Sequence, residues 1–339
     1  MDSITQMVLG GAVGEAVLGK KVGNKAVFWG AVAGTIPDLD AIPGRFMETV
    51  ARLENHRGFS HSIVFCLIFA PIIGVLIHKI HGKDAADQWD WTKLVFWGLL
   101  THPLLDCFTT WGTQLFWPFD YRVAFKTIFV VDPFYTLPLL VCIPWLLFQD
   151  RSSRLRRKLN LIGLSLSTGY LLITVFNMLF MRQNFEEILR SKNIEYSRFT
   201  IQPTPLNNIL WTVTADTEDG FYVGYHSFLD SHKTMPFLYF KKNYHLIKEL
   251  DGNRKIARLK SIMNGYLTVD SVAGRLRLND LRFGLLNGWS GQKARFVFSY
   301  ALRVENHDGQ QTIFVEQRYP EITITRRVLG QLWRRIRGI

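Results

Sequence analysis

Apolar and polar positions are spread so unevenly that their pattern divides the chain in two. Up to about residue 181, apolar runs recur at 4–19, 26–36, 61–78, 134–148 and 161–181, and the stretch 92–111 is apolar apart from Thr101, His102, Asp106, Thr109 and Thr110. The run 161–181 has the roughly 20 residues a helix needs to cross a hydrocarbon layer, and the shorter runs reach that length with their flanks. Trp, Tyr and Phe gather at the run ends, as interfacial anchors do. Beyond residue 182 the period shortens to alternating segments at 197–202, 209–215, 221–225, 237–240, 266–272, 295–304 and 312–317, separated by Asp-Gly, Asn-Gly and Gly-Gln turns. Such alternation predicts an antiparallel sheet or small barrel. Residues 242–259 have room for one or two helices. The expected fold is a mainly α-helical membrane bundle of about six helices in 1–181, followed by a β-rich (α+β) soluble domain in 182–339.

Local detail refines the first half. Gly10, Gly11, Ala12 and Gly14 let helices approach closely, and Pro37 stops the second run, so 4–36 reads as a tight hairpin whose turn holds Lys20, Lys21 and Lys25. Glu15, about one turn from those lysines, is expected to pair with them near the interface. Residues 41–60 form a polar connector. Lys and Arg favour the cytoplasmic side of a membrane. Placing the Lys20/Lys21/Lys25 turn, the Lys79/Lys83/Lys93 loop and the 151–158 loop inside gives six spans that alternate from an outer N-terminus. Asp38, Asp40, His56 and His61 then fall outside, Asp106 ends its helix nearer the outer face than His102, and the C-terminal domain is extracytoplasmic.

Charge and cysteines exclude some classes. The net charge of +12 sits largely in short clusters beside apolar runs, such as Arg151, Arg154, Arg156, Arg157 and Lys158, which is a topology signal rather than a nucleic-acid stripe. Cys66, Cys107 and Cys142 lie inside apolar runs without paired spacing, so neither a disulfide framework nor a cysteine zinc site is expected. The first residues lack the basic segment of a cleavable signal peptide. The basic tail 326–339, with Trp333, reads either as a helix on a membrane surface or as a solvated helix.

The chemistry gathers in His and Asp. His102 and Asp106 stand one helical turn apart on one face, half of a metal site. Asp38 and Asp40 after Pro37, and His56 and His61 before the third run, are the polar groups nearest to completing it. Any one of these is as readily a helix cap or a hydrogen-bonded interior group. Yet an Asp in an apolar span costs about 2.5–3.5 kcal/mol on insertion scales, so Asp106 demands a partner, and three segments converge on one side. Imidazole and carboxylate suit zinc, manganese or iron. Four side chains would hold one ion, and six with bridging carboxylates two. Arg57 is a candidate for holding a substrate phosphate, or equally for pairing with Glu54 or lipid headgroups. Asp40 or Asp38 is a candidate to take a proton from water. Ser60 and Asp132 read as helix N-caps. No G-x-S-x-G elbow or phosphate-cradling G-x-x-x-x-G-K run is present, which disfavours serine hydrolases and NTPases.

The combination of Met1-Asp2-Ser3-Ile4-Thr5-Gln6 with Gly10-Gly11, Pro37-Asp38-Leu39-Asp40, His56-Arg57-Gly58-Phe59-Ser60-His61-Ser62 and His102-Pro103-Leu104-Leu105-Asp106 resembles the YdjM-like family of bacterial inner-membrane proteins. These are predicted metal-dependent hydrolases, thought to be distantly similar to zinc-dependent phospholipase C. The match covers residues 1–185 and extends more weakly through Asp132-Pro133 and Pro203-Thr204-Pro205 to Trp211. The resemblance implies a helical multi-metal site with Asp38, His61, His102 and Asp106 as ligands, and Asp40 and His56 as further candidates. Gln6 stands where many members have His, which removes a ligand and leaves its role, and that of Asp2, open.

The expected function is therefore a membrane-bound, multi-pass hydrolase of the bacterial inner membrane, using one or two divalent ions, zinc or manganese, on a phosphoester of a lipid or lipid-linked substrate. A non-catalytic scaffold with a structural metal, whose C-terminal domain binds a protein partner, is the main rival. Ion transport is a third reading, disfavoured because the polar positions stop midway along the fourth span.

Overall fold

The computed structural model describes residues 1–82, 86–231, 235–290, 295–307, 310–320 and 325–339. Lys83 and the Gly-Gln turn at 291–292 lie outside them. The described residues form two compact units. The first takes residues 1–46, 55–177 and 205–207, and the second takes 47–54, 178–204 and 208–339. Relative to a division at 181/182, the second unit also claims residues 47–54.

In the first unit, α1 (Ser3–Val22) and α2 (Asn24–Thr35) form a hairpin. Asp2 caps α1 through the Thr5 N–H, and Gly23 turns the chain at φ 61°. The two helices touch through backbone: a Cβ on Gly10 or Gly14 would run into the carbonyls of Gly30 or Ala26. A 3-10 turn over Ile36–Asp40 and the four-residue α3 (Ala41–Gly44) follow. After α4 (Thr49–Asn55) and a second 3-10 turn, Phe59–His61, come α5 (Ile63–His81), α6 (Gln88–Asp106), α7 (Pro133–Leu147) and α8 (Arg154–Ser191). Asp87 and Asp90 make a capping box on α6. One apolar core joins Leu18, Ala26 and Ala33 to Phe65, Ala70, Trp91 and Leu99, and a second joins Leu9 and Ala12 to Leu105, Tyr135, Leu139 and Leu146.

Three expectations need correction. Among the described residues only α5 and α8 are long and apolar enough to cross a membrane, with α7 a shorter apolar helix, so six spans are not found. The remainder fall short for physical reasons: α2 has 12 residues, and α6, though 19 residues long, carries Gln88, Asp90, Lys93, His102 and Asp106. Glu15 does not meet the lysines. It is buried in a bidentate pair with Arg156, at 2.6 and 2.7 Å, and Arg156 also donates to the carbonyls of Leu146 and Gln149 and to Asn24 Oδ1. Ser62, not Ser60, caps α5 by accepting from the Phe65 N–H, whereas Asp132 does cap α7.

The second unit contains two four-stranded antiparallel meanders. The first is β1 (Arg198–Pro203), β2 (Leu210–Asp216), β3 (Gly220–Ser227) and β4 (Phe237–Lys241). Its inner residues Ile201, Trp211 and Val213 pack on Met181, Phe185 and Ile188 at the end of α8. A 3-10 turn over Tyr244–Leu250 and α9 (Arg254–Ile262) fill the stretch 242–259. The second meander is β5 (Leu267–Val272), β6 (Arg275–Leu286), β7 (Arg295–His307) and β8 (Gln310–Arg318). β6 is not among the strands that alternation predicts, and its register shifts between Asp280 and Leu285, where Asp280 and Arg282 form a buried pair. The chain closes with α10 (Arg326–Ile336), which packs Leu332 and Ile336 among Leu210, Phe221, Tyr225 and Leu285. Residues 47–54 join this unit through ion pairs of Glu48 with Lys255 (2.8 Å) and of Glu54 with Arg258, and through Arg52 donating to Gln317 Oε1 at 2.9 Å.

Candidate metal centre

Four side chains from three segments of the first unit converge. His102 and Asp106 project from one face of α6, both without solvent exposure. Asp38 comes from the 3-10 turn that Pro37 opens, and His61 ends the turn that leads into α5. Arg57, at φ 57°, folds the chain back just before that turn.

The donor atoms face one another. His61 Nε2 lies 3.1 Å from His102 Nε2, 3.5 Å from Asp38 Oδ1 and 3.6 Å from Asp106 Oδ2. His102 Nε2 lies 3.4 Å from Asp38 Oδ1 and 3.7 Å from Asp106 Oδ2. Ligands about 2.0–2.1 Å from a tetrahedral ion stand about 3.3 Å apart, so these separations match a set around a single ion.

The far sides of the rings reinforce that reading. His102 Nδ1 meets the Gly34 carbonyl at 2.6 Å, and a carbonyl only accepts, so Nδ1 carries the proton and Nε2 a lone pair. His61 Nδ1 sits 2.9 Å from Ser60 Oγ and 3.8 Å from Asp40 Oδ2. With its proton there, both imidazoles aim lone pairs at each other and at two carboxylate oxygens, an arrangement that is repulsive without a cation between them. Burial pushes the His61 imidazole down to about 4, and the nearby Asp38 carboxylate only partly opposes this, so the ring is neutral at pH 7, as a ligand must be. Burial raises the Asp38 carboxyl, but the proximity of His102 and His61 outweighs it and holds the group well below the carboxylate range. Asp106 Oδ2 is buried without a hydrogen-bond partner among the described residues.

Asp40 and His56 are not brought into the donor set. They pair with each other at 3.4 Å, and Asp40 Oδ2 also accepts the Arg57 N–H at 2.8 Å. Burial raises the Asp40 carboxyl, and His56, His61 and the Arg57 N–H more than reverse this. Asp40 thus lies behind His61, 3.8 Å from Nδ1, where its charge faces the ring without a hydrogen bond to it. Arg57 reaches neither Glu54 nor the surface. Its Nε stands 3.0 Å from Asp106 Oδ2 and its Nη1 donates to Thr109 at 2.9 Å, neutralising a buried carboxylate. Gln6 donates through Nε2 to Asp106 Oδ1 at 3.0 Å, the Met1 amino group pairs with the same oxygen, and Gln6 Oε1 is buried without a partner among the described residues. Asp2 caps α1 and takes no part. Ser60, Thr109 and the Gly34 carbonyl went unseen as supports, the last because a backbone acceptor leaves no mark in sequence.

A family model described as YdjM inner membrane protein matches residues 1–182. The uncharacterized protein YfhP of Bacillus subtilis (strain 168) is 29% identical over 233 residues, 66% of this chain and 68% of that protein. The inner membrane protein YbcI of Escherichia coli (strain K12) is 29% identical over 114 residues, 34% of this chain. That match spans 64% of the relative, just under two thirds of its length. No solved structure matches the chain.

Proposed function

Because the chain belongs to the YdjM inner membrane protein family, we propose that it is a membrane-bound metal-dependent hydrolase acting on a phosphoester of a lipid or lipid-linked substrate. The observation that carries this reading is the set of Asp38, His61, His102 and Asp106, whose donor atoms all lie within 4.8 Å of one another. A divalent ion held there, zinc first and manganese second, supplies a Lewis acid and an acidified water.

The chain's own residues divide the remaining work. The Gly34 carbonyl fixes the His102 ring, Ser60 fixes His61 with the Asp40 charge behind it, and Arg57 keeps Asp106 charged. Asp38 is the one member of the set open to solvent, at 26% of its side chain, so substrate approaches on its side. Leu39, Ile42 and Phe46, all exposed, follow it directly and suit an acyl or prenyl chain. Asp40 acts through His61 in this reading, and Arg57 through Asp106, rather than on the substrate.

The basic turns favour a cytoplasmic end opposite the site. Asn24 donates to the Leu147 carbonyl at 3.0 Å and Arg151 to that of Lys21 at 2.9 Å, so the α1–α2 and α7–α8 turns meet. Gln6, Gly34 and Asp106 occupy the other ends of their helices. We place the turns inside and the site outside, which cysteine labelling at Arg151 in intact cells tests. Labelling by an impermeant reagent would reverse the assignment.

The rival is a structural metal in a scaffold, favoured by how completely His61, His102 and Asp106 are buried. Metal analysis of purified protein, with turnover of a panel of phospholipids and simple phosphoesters by wild type and Asp106→Ala, separates the two. Bound metal with no turnover supports the scaffold. Absence of metal in wild type removes both.

A further inference from the structure

Residues 326–339 hold Arg326, Arg327, Arg334, Arg335 and Arg337 and no acidic residue. α10 docks through Leu332 and Ile336, and Arg335 clamps it by donating to both oxygens of Asp230 and to the Tyr225 carbonyl. At 3.6 residues per turn, Leu329, Trp333 and Arg326 fall on the flank of that buried stripe, and Arg327 and Arg334 on the outward side. Trp333 is 60% exposed and Leu329 44%.

This flank does not stand alone. The Gly338 backbone abuts Leu229, leaving no room for a Cβ. Leu229 and its neighbour Phe228 are exposed, and Phe228 stacks on Phe180 with ring centroids 5.3 Å apart. Phe180 ends the apolar stretch of α8, one of the two membrane-length helices, where Leu172, Ile173, Phe176 and Leu179 are also exposed. A strip of apolar side chains thus continues from a membrane-length helix to a helix with an aromatic flank and an arginine face, the composition of an element lying in a bilayer interface.

We propose that Phe180, Phe228 and Leu229, with Leu329, Trp333 and the outer arginines of α10, rest on the anionic phospholipid surface of the bilayer that α8 enters. The apolar flank sits at the level of the headgroups, and Arg326, Arg327 and Arg334 contact phosphates. This rests on the family's membrane location and is independent of the hydrolase reading.

The test uses the full chain in nanodiscs of phosphatidylcholine, alone or with phosphatidylglycerol. Trp333→Cys or Leu329→Cys carries a polarity-sensitive dye, the native cysteines being buried. Glu218→Cys is the control. It precedes β3 whereas Phe228 follows it, and eight residues of strand put the two ends about 26 Å apart. The expected result is quenching by lipid-borne quenchers several-fold greater at 333 and 329 than at 218. It should rise with phosphatidylglycerol and fall in the Arg326→Glu/Arg327→Glu/Arg334→Glu variant. Equal access of iodide to all three labels, as for a solvated helix or a protein-binding face, overturns the proposal. So does lipid quenching indifferent to lipid charge and to the arginines.

Discussion

Gly30→Ala should destabilise the first unit although alanine is the better helix former. A Cβ on Gly30 would stand 2.3 Å from the Gly10 carbonyl oxygen and 2.8 Å from Gly14 Cα, backbone atoms of a packed neighbour that cannot rotate away. Restoring ordinary contact means parting α1 and α2 by about 1 Å. Alanine gains about 0.8–1.0 kcal/mol in helix propensity, while overpacking of this kind costs about 1–3 kcal/mol or more. Gly169 in α8 is the matched control, with nothing within 4 Å of its added Cβ. Gly169→Ala should hold or raise stability, and, since both variants gain the same propensity, Gly30→Ala should lie below it by the overpacking cost, about 1–3 kcal/mol, in denaturant unfolding from the same detergent. The damage should also reach the metal centre, because α2 ends in the Gly34 carbonyl that accepts from His102. Were Gly30→Ala as stable as Gly169→Ala, with equal zinc affinity, the backbone-to-backbone account of this hairpin would be wrong.

Three further outcomes follow from contacts already described. His102→Ala should abolish bound metal, and Asp40→Asn should weaken it by about 10–100-fold, the usual effect of losing an outer partner of a ligand; competition with a zinc-chelating dye measures both. Glu15→Gln, which leaves Arg156 buried without its carboxylate, should cost about 3–5 kcal/mol, and Glu15→Leu/Arg156→Leu should recover only part because Arg156 also holds the carbonyls of Leu146 and Gln149. Burial raises the Asp230 carboxyl, but His226 and Arg335 hold it well below the carboxylate range. Its stabilisation of α10 is then present above the ordinary value of about 3.9 and lost as pH falls below it, so hydrogen-exchange protection factors of the α10 amides should be flat from neutral pH to about 5, decline below about 4, and be lower and without that pH dependence in Asp230→Asn.

The metal centre was legible where helical spacing governs. His102 and Asp106 had to share a face, and a buried Asp106 had to find partners. The split between Asp38 and Asp40 was not legible, because in the 3-10 turn that carries them positions i and i+2 point about 120° apart. One faces His102 and the other faces His56. His56 and His61 part for a similar reason, since the φ of 57° at Arg57 lies between them and no residue pattern announces it. Arg156 was read as a topology signal because its partner Glu15 lies 141 residues away. In the second half, strict alternation exposed most strands, whereas Asn279 and Asp280 broke the apolar rhythm of β6 and hid a strand whose charges are paired inside. Apolar runs marked more spans than length and composition support, because α2 is short and α6 mixes Asp90, Lys93, His102 and Asp106 into its apolar sequence.

The eight residues 47–54 set where this protein can be cut. The family match ends at residue 182, which suggests a natural severance point, yet Glu48, Arg52 and Glu54 are held by Lys255, Gln317 and Arg258 far beyond it. Glu54 is two residues from His56 and seven from His61. A chain ending at 182 keeps all four ligands, and His61 stays tied into the first unit by α5 and by the Ile63 N–H on the Leu115 carbonyl, but the cut takes Lys255, Gln317 and Arg258 away from Glu48, Arg52 and Glu54. The stretch that the family model matches and the compact units of the fold are then different stretches of the same polypeptide.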